Sequence, residues 1–189
     1  HASLLLLEKG YKVYSLDSLI NSNENSINNI KKILKIYSKI ENFRFFKGDI
    51  RNKTFLSKIF QISKEENTPI DAVMYFAGLK SVNESIHFPL EYWDVNLHGT
   101  INLIKVMDSF CCNTFIFSSS ATVYNPQAQL PFNEESEIRP INNYGLTKFV
   151  VEEFLKSLKN AKNKIWKVSC LRYFNPIGAH NSGLIGENF

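Results

Sequence analysis

The apolar residues of the chain follow two alternating spacings, one typical of helices and one typical of strands. Helical spacing, with apolar residues three and four apart, covers residues 2–9, 26–40, 53–66, 89–110 and 143–158. Short runs rich in β-branched and aromatic residues follow them, at 11–16, 43–46, 71–76, 114–117 and 166–173. Because helices and strands alternate at this pace, the pattern predicts right-handed crossovers and an α/β fold, a doubly wound parallel sheet with helices on both faces.

Two glycines bear on the predicted helix boundaries. Gly10 follows the first helical segment and suits the left-handed position just after a helix end. Gly99 lies inside the segment 89–110 and is expected to be a weak point there.

Each predicted strand ends in residues that are polar, small or both. These ends are Asp17, Gly48-Asp49, Ala77-Gly78, the serines 118–120 and the run 173–175 (Tyr-Phe-Asn). In an open α/β sheet, ligands bind outside the carboxyl ends of the strands. The sequence therefore predicts a ligand site formed by these ends.

The first two strand ends carry aspartates that suit the adenosine half of a dinucleotide. Asp17 can bond the ribose hydroxyls of NAD, and its charge would repel the 2′-phosphate of NADP. A turn aspartate is the alternative for Asp17. Asn21 and Ser22 can add ribose or phosphate contacts. Asp49 can accept a hydrogen bond from the adenine amino group, although such an aspartate alone is more often a turn residue.

The third strand end suits the phosphates of the same ligand. Ala77-Gly78 would let phosphates approach the backbone closely, because glycine has no side chain to obstruct them. Lys80 adds a positive charge two residues later. An ordinary solvated lysine is the alternative for Lys80.

The most specific local feature is the pair Tyr144 and Lys148. Their spacing of four residues puts both side chains on one helix face. A tyrosine with a pKa of about 10 is a poor base at neutral pH, and a neighbouring ammonium together with a nicotinamide cation would stabilise its phenolate. Ser120 would hydrogen-bond the reacting hydroxyl. The alternative is a surface tyrosine beside a solvated lysine, but the combination with the strand-end serine favours hydride transfer with a proton relay over acyl transfer.

Composition and charge narrow the remaining classes. The 189 residues are 44% hydrophobic and 21% charged, which fits one globular domain and excludes a disordered chain or a disulfide scaffold. The net charge of +4 comes from basic residues scattered among acidic ones, which suits an anionic small ligand and gives no sign of nucleic-acid binding. No apolar run approaches the roughly 20 residues of a membrane span.

The cysteines and histidines show no metal-binding spacing. Cys111, Cys112 and Cys170 form no C-x-x-C pair, so we expect buried, reduced thiols in a cytoplasmic protein. The four histidines are isolated from one another and from cysteine, so no metal site is expected.

Four longer motifs resemble one known family. They are FAGLKSVNES at 76–85, FSSSATVY at 117–124, YGLTK at 144–148 and LRYFNPIGAH at 171–180. In this order they resemble the extended short-chain dehydrogenase/reductases, and within them the NAD-dependent epimerases and dehydratases of nucleotide sugars, over residues 1–189. The resemblance implies a Rossmann-like fold, NAD as the cofactor, a UDP-sugar as the substrate and a homodimer built on the long helices at 89–110 and 143–158.

The resemblance also implies roles for individual residues. Tyr144 would be the catalytic base, Lys148 would bind the nicotinamide ribose and lower the pKa of Tyr144, and Ser120 would assist at the sugar 4-hydroxyl. The implied NAD contacts are Asp17, Ser18, Leu19, Asn21, Ser22, Asp49, Ile50, Phe76, Ala77, Gly78, Leu79, Lys80, Asn96, Ser118, Tyr144, Lys148 and Phe174. The implied substrate contacts are Lys80, Ser120, Tyr144 and Asn175.

The implied reaction interconverts UDP-galactose and UDP-glucose by oxidation and re-reduction at sugar C4, through a 4-keto intermediate. Related dehydratases carry an Asp-Glu acid/base pair where this chain has Ala121-Thr122, which favours epimerisation. Asn125 stands where the family usually has glycine, and this departure is no obstacle because an asparagine can adopt the left-handed conformation. Epimerisation of UDP-N-acetylglucosamine or UDP-glucuronate, and a non-catalytic dinucleotide sensor, are the alternatives.

Strand counting gives the expected domain boundaries. A doubly wound dinucleotide sheet in the order 3-2-1-4-5-6 has six strands, whereas five are predicted here and the first already carries the ribose aspartate. We therefore expect a first strand and a glycine-rich loop ahead of His1. Residues 1–175 would form the rest of the NAD-binding domain, and 176–189 would begin a smaller substrate-binding lobe. An inactive fragment is a further alternative for the chain by itself.

Overall fold

The computed structural model of the chain describes residues 1–36, 40–160 and 164–186. The chain divides into two compact units, one of His1–Asp49 with Pro176–Phe189 and one of Ile50–Asn175. Each unit contains a parallel sheet whose strands are joined through helices, which confirms the predicted α/β fold. The described strands form two sheets rather than the single one predicted, and their orders are β1-β2 and β3-β4-β5. No described strand pairs with both β1 and β3.

The first unit is built from two helices and two strands. Their bounds are α1 Ala2–Glu8, β1 Val13–Asp17, α2 Glu24–Ile36 and β2 Phe43–Lys47, with a short 3₁₀ turn at Ile40–Asn42. The parallel register places Val13 opposite Phe43 and Asp17 opposite Lys47. Both strands therefore end at the same edge of this sheet.

The end of α1 takes the form that its sequence predicts. Gly10 has a φ of 88°, in the left-handed region, and its N–H donates to the Leu7 carbonyl at 3.0 Å. The Tyr11 N–H donates to the Leu6 carbonyl at 3.0 Å. These two bonds satisfy carbonyls that a helix end leaves unpaired, so the prediction for Gly10 is confirmed.

The core of the first unit consists of aliphatic side chains from both helices around one aromatic ring of β2. Its buried members are Leu4, Leu7, Ile30, Ile33, Leu34, Phe43 and Ile185. Ile27 and Ile40 pack against it, as their helical spacing predicts, whereas Tyr37 lies outside the described residues. Ile185 shows that residues after 175 pack with the beginning of the chain.

The second unit holds the other three strands. Its elements are α3 Lys53–Glu65, β3 Ala72–Tyr75, α4 Val82–His87, α5 Pro89–Tyr92, α6 Gly99–Ser109, β4 Thr114–Ser120, α7 Asn143–Lys159 and β5 Lys167–Tyr173. Central strand β4 pairs with both neighbours, with Tyr75 opposite Phe117 and Ser120 opposite Tyr173. All three strands run in parallel, so the residues that follow Tyr75, Ser120 and Tyr173 emerge at one edge.

Two elements of the second unit differ from prediction. Strand β4 includes all three serines, because Ser118 to Ser120 stay paired with β5. Helix α4 is not predicted at all, since six residues are too few to show a helical period. It begins at a capping residue, Ser81, whose hydroxyl accepts from the Glu84 N–H at 3.3 Å.

The long helical segment 89–110 is interrupted before Gly99 rather than at it. Residues Trp93–His98 form a π-helical turn between α5 and α6. Gly99 is instead a site of close packing, because a Cβ there would lie 2.6 Å from Cδ1 of Ile50. The prediction of a weak point at Gly99 is therefore wrong, and the glycine serves the contact with Ile50.

The prediction of three buried thiols is correct only for Cys112. All three cysteines are free, but Cys111 and Cys170 are exposed. Cys111 lies in the turn after α6 with a φ of 58°, and Cys170 lies on β5, which pairs with only one described strand. In the described part of the chain, no helix has the length and apolar character to cross a membrane.

Candidate active site

Tyr144 lies beside Ser120 because helix α7 approaches the end of β4 very closely. The helix begins at Asn142, whose Oδ1 accepts from the Gly145 N–H at 2.7 Å. A Cβ on Gly145 would lie 2.5 Å from the carbonyl oxygen of Thr122, so only glycine permits this approach. The Ser120 hydroxyl is therefore near enough to Tyr144 to act on the pKa of its phenol.

The Ser120 hydroxyl is oriented by the turn that follows it. Its Oγ accepts from the Thr122 N–H at 3.2 Å and from the Thr122 hydroxyl at 3.0 Å. A serine hydroxyl has two acceptor positions and one donor. With both acceptor positions used, the Ser120 hydroxyl keeps its proton for donation to another group.

Lys148 is a buried cation. Its side chain is among the least exposed charged groups, at 5%, and Nζ donates to the Ser118 carbonyl at 2.8 Å. The same Nζ lies 4.9 Å from the ring centroid of Phe117 and 5.8 Å from that of Tyr144. Burial lowers the pKa of Lys148 to about 8. The alternative of a solvated lysine is therefore excluded.

Burial also acts on Tyr144, in the opposite direction. Loss of solvent raises the pKa of Tyr144 above its ordinary value, and the hydrogen bond from Ser120 only partly offsets this rise. The net shift is thus opposite to the lowering expected from Lys148. The protein groups alone keep the phenol protonated at neutral pH.

Asn96 connects the end of β3 to α7. It is 2% exposed and lies in the π-helical turn, where its Oδ1 accepts from the Leu79 N–H at 2.8 Å. Its Nδ2 donates to the Leu79 carbonyl and to Thr147 Oγ1, both at 3.1 Å. All its described side-chain bonds are therefore to protein groups. The contact with NAD that the resemblance implies for Asn96 stays a prediction.

The loop that Asn96 holds has a bare backbone at Gly78. This glycine has a φ of 146°, and a Cβ on it would lie 2.9 Å from Asn96 Oδ1 and 3.8 Å from Lys148 Nζ. A side chain is therefore excluded both by conformation and by space. The neighbouring Phe76 and Lys80 are exposed, and Ala77 is partly buried.

The end of β5 presents an exposed aromatic ring. Phe174 is 63% exposed and forms a stacked group with Tyr124 and Phe132, each at a centroid distance of 6.5 Å from it. Asn175 follows and is exposed as well. Both residues come directly after the strand that pairs with Ser118 to Ser120.

The predicted adenosine-binding residues lie mostly in the first unit and are organised locally. Asp17 ends β1, and its Oδ1 accepts from the Leu19 N–H at 2.8 Å and from the Ser22 hydroxyl at 3.1 Å. Leu19 has a φ of 58°, a strained conformation for a leucine. Ser18, Asn21 and Asp49 complete this group at the ends of β1 and β2, whereas Ile50 belongs to the second unit.

Asn125 does not need the left-handed conformation that an asparagine can adopt. It is not among the described residues with positive φ. Its side chain fixes the loop instead, since Nδ2 donates to Glu137 Oε2 at 2.7 Å and Oδ1 accepts from the Gln127 N–H at 3.1 Å. An asparagine can therefore replace the family's glycine by supplying these two bonds.

The second unit thus brings together Ser118, Ser120, Tyr144 and Lys148 with the Gly78 loop. Sequence reasoning missed one buried group beside them, the ion pair of Glu152 and Arg172 with Ser119. The available signal was the spacing of Glu152, one turn after Lys148 on the same helix face. Within the described residues, no three His, Cys, Asp or Glu side chains form a group that could hold a metal ion.

Comparison with known proteins gives relatives along the whole chain. The family model described as GDP-mannose 4,6 dehydratase matches residues 1–189. UDP-glucose 4-epimerase GEPI48 of Cyamopsis tetragonoloba is 43% identical over 188 residues, which are 100% of this chain and 51% of the relative. The chain spans about half the length of the curated relatives it matches.

Two crystal structures are similar in both sequence and fold. A UDP-glucose-4-epimerase from Stenotrophomonas maltophila with bound NAD and formylated UDP-arabinopyranose is 38% identical, with a TM-score of 0.88. One from Bifidobacterium longum in complex with NAD+ and UDP is also 38% identical, with a TM-score of 0.87. Each match covers 100% of this chain and 53% of the crystallised one. The chain therefore belongs to the extended short-chain dehydrogenase/reductase family, in the branch of nucleotide-sugar epimerases and dehydratases.

Proposed function

We propose that the whole protein interconverts UDP-galactose and UDP-glucose, with NAD as a bound cofactor. The observation that carries this proposal is the arrangement of Tyr144, Ser120 and Lys148. An oriented serine hydroxyl acts to lower the pKa of the Tyr144 phenol, and the buried Lys148 ammonium is fixed to a backbone carbonyl nearby. Similarity to epimerases crystallised with NAD, and in one case with UDP, supports the same reaction.

The Gly78 loop supports NAD as the cofactor. A dinucleotide needs a backbone that it can approach closely, and Ala77 and Gly78 carry no long side chain that would obstruct it. Asp17 supports an adenosine site. Both of its described bonds use Oδ1, so the ribose hydroxyls could donate to Oδ2. The NAD-binding set that we propose is the one named from the sequence, with Lys148 on the nicotinamide ribose.

Proton transfer in this proposal belongs to Tyr144. Its phenol oxygen would take the proton from the sugar 4-hydroxyl and return it, while Ser120 stabilises the phenolate through its hydrogen bond. The protein groups alone raise the pKa of Tyr144, so the base needs further positive charge near it. NAD, when bound, would supply the positive charge of its nicotinamide ring and the capacity for hydride transfer that the reaction needs.

The turn after β4 supports epimerisation over dehydration. Elimination of water needs an acid and a base close to the sugar, and the chain has Ala121 and Thr122 where related dehydratases carry them. Thr122 is already engaged, because its hydroxyl donates to Ser120. The proposed reaction therefore keeps all carbon–oxygen bonds of the sugar.

The organisation of the whole protein is part of the proposal. The strand orders β1-β2 and β3-β4-β5 are those of a 3-2-1-4-5-6 sheet without its strand 1, which supports a further strand and glycine-rich loop ahead of β1.

Leu90 and Leu146 are exposed on α5 and α7, which supports a homodimer built on these helices. Light scattering on the whole protein tests that dimer. Free cysteines support a cytoplasmic location.

The deciding experiment is an assay of the purified whole protein with UDP-galactose and no added NAD. We expect UDP-glucose to form, because the cofactor is regenerated in every cycle and can stay bound. Inactivity even with added NAD would reject the proposal. Turnover of UDP-N-acetylglucosamine or UDP-glucuronate alone would reassign the substrate, and firm NAD binding without turnover of any UDP-sugar would favour a dinucleotide sensor.

A further inference from the structure

A buried ion pair lies directly behind the candidate active site. Glu152 on α7 is 7% exposed, and its Oε2 lies 2.7 Å from Arg172 Nη2 on β5. Arg172 Nε also donates to both carboxylate oxygens, at 3.1 and 3.3 Å. Removing such charges from water is costly, and an apolar pair of similar size often stabilises a fold as well or better. Stability alone is therefore a weak reason for the chain to bury the Glu152–Arg172 pair.

The carboxylate of Glu152 bonds to the serine strand end. The hydroxyl of Ser119 donates to Glu152 Oε1. Ser119 stands between Ser118, whose carbonyl accepts from Lys148, and Ser120, whose hydroxyl acts on the pKa of Tyr144. Glu152 is therefore connected to the backbone segment that holds both groups.

Glu152 also shares its helix with the two predicted catalytic residues. It follows Lys148 by four residues and Tyr144 by eight, so all three lie on one face of α7. The bond to Ser119 thus joins this helix face to β4 at a second point. With the bond from Lys148 to Ser118, it fixes the helix against the strand in both position and rotation.

Arg172 extends the connection to the aromatic group at the end of β5. Its Nη1 donates to Tyr124 Oη at 3.2 Å, and its guanidinium lies 5.0 Å from the centroid of the Tyr124 ring. Tyr124 stacks with Phe132 at 5.0 Å and with Phe174 at 6.5 Å. Phe174 is two residues beyond Arg172 and is the exposed ring of this group.

We propose that Glu152 and Arg172 are positioning residues for the reaction. The pair holds the Ser118–Ser120 strand end, the Tyr144 helix face and the Phe174 ring in one fixed arrangement. Glu152 and Arg172 would act through the residues that they hold, without contact with substrate or cofactor. This inference rests on the proposed epimerase function, and it predicts that loss of the pair lowers turnover of correctly folded, NAD-loaded protein.

Glu152→Gln in the whole protein tests the proposal, with Glu153→Gln as its matched control. Both variants remove one negative charge from adjacent positions of α7, but Glu153 is exposed, and its described ion pair is a surface pair with Lys156 at 3.4 Å. We measure turnover per molecule of bound NAD and the KM for UDP-galactose. For Glu152→Gln we expect a kcat lower by about tenfold to a hundredfold with KM within about threefold, as misplacement of reacting groups predicts. Glu153→Gln should stay within about twofold of the parent.

The use of NAD-loaded molecules separates positioning from stability. If the pair only stabilises the fold, Glu152→Gln lowers the yield or the melting temperature but leaves turnover per bound NAD unchanged, and that result overturns the proposal. Ser119→Ala is the second variant, because it removes the bond to β4 while leaving the ion pair intact. It should lower kcat by about threefold to tenfold, within the range of the loss of one ordinary hydrogen bond and less than for Glu152→Gln because the ion pair remains, and an unchanged kcat for this variant also overturns the proposal.

Two further controls complete the test. Arg172→Lys retains the charge but not the two-pronged bond, so it should recover part of the kcat that Arg172→Met loses. Equal turnover of these two variants contradicts the proposed role of the fork geometry. The parent protein and Tyr144→Phe are assayed alongside: an inactive parent rejects the epimerase function itself, whereas an active parent with a fully active Glu152→Gln rejects only this inference.

Discussion

The loop after β1 is stabilised by local hydrogen bonds, whereas the site at the ends of β3 and β4 is stabilised by long-range ones. Asp17 bonds to Leu19 and Ser22, two and five residues away. In the second unit, Lys148 bonds to Ser118 across 30 residues, and Asn96 bonds to Thr147 across 51. The comparison teaches that a nucleotide-recognition loop can be a local structure, while the reaction centre depends on how the sheet and helices pack.

The comparison predicts that changes in the second unit have the larger effects, and Tyr144→Phe should have the largest. Removing the phenol oxygen removes the proposed base, so turnover should fall by about a thousandfold or more. NAD should stay bound, because the ring remains. Turnover of UDP-galactose and the NAD content of the purified variant check both statements.

The matched control for Tyr144→Phe is Tyr11→Phe, at an exposed tyrosine of the first unit. It should be as active as the parent protein. Near-normal turnover of Tyr144→Phe would show that Tyr144 is not the base. It would also contradict the expectation that changes in the second unit have the larger effects.

The second prediction uses the burial of Lys148, which gives it a folded-state pKa of about 8. An unfolded lysine has a pKa of about 10.4. Between these two values the unfolded chain binds the proton and the folded chain does not, so Lys148 makes the free energy of unfolding rise with pH. Below pH 8 the penalty for the buried cation is fully present.

Lys148→Met should remove this dependence. The free energy of unfolding of the parent, relative to that of the variant, should rise by about 1 kcal/mol per pH unit between pH 8 and 10. Denaturant titrations of the two nucleotide-free proteins at several pH values measure the difference and cancel the titration of other groups. Parallel pH profiles would show that Lys148 is more hydrated than the structure indicates.

A third prediction concerns Asn96→Ala, which leaves the Leu79 N–H and carbonyl and the Thr147 hydroxyl without their amide partner. We expect the free energy of unfolding to fall by about 2 kcal/mol, because backbone groups lose bonds that water cannot fully replace. Thermal melts measure the loss. Asn28→Ala, at an exposed position of α2, is the control and should change stability little; equal effects at both sites would mean that the Gly78 loop does not need its long-range bonds.

The smallest effect is expected in the local loop, from Asp17→Asn. The amide keeps an oxygen that can accept from Leu19 and Ser22, so only the charge is lost. Preference for NAD over NADP should decrease by about tenfold, or about 1.4 kcal/mol, since repulsion of the 2′-phosphate is removed. Titration of the whole protein with both nucleotides checks this, with Glu24→Gln as the control for a general change in charge.

Features that depend on neighbouring residues can be predicted from the sequence, whereas features that depend on contacts between distant residues cannot. The helices and strands, the left-handed Gly10 and the Tyr144-Lys148 pair depend on residues close in sequence, so spacing alone predicts them. The π-helical turn at Trp93–His98 and the true role of Gly99 depend on Ile50 and on the Gly78 loop, which lie far away along the chain. Spacing carries no information about such contacts, and the prediction placed the helix interruption at the glycine instead.

The candidate site divides similarly. Ser120, Tyr144 and Lys148 were identified by residue type and position, whereas the network of Glu152, Arg172 and Ser119 was not. Charged residues on a helix are usually solvated, so nothing in their type marks them as buried. The role of Asn125 was not predictable either, because its side-chain bond to Glu137 joins residues twelve positions apart.

The sequence by itself determined the α/β fold, the family and the positions where chemistry is expected, because the periods of helices and strands and the polar strand ends are local properties. The tertiary structure alone decided that Lys148 is desolvated, that burial raises the pKa of Tyr144, and that Asn96 and Glu152 hold the surrounding segments. These properties depend on distance and exclusion of water, which arise only when residues from separate elements pack against one another.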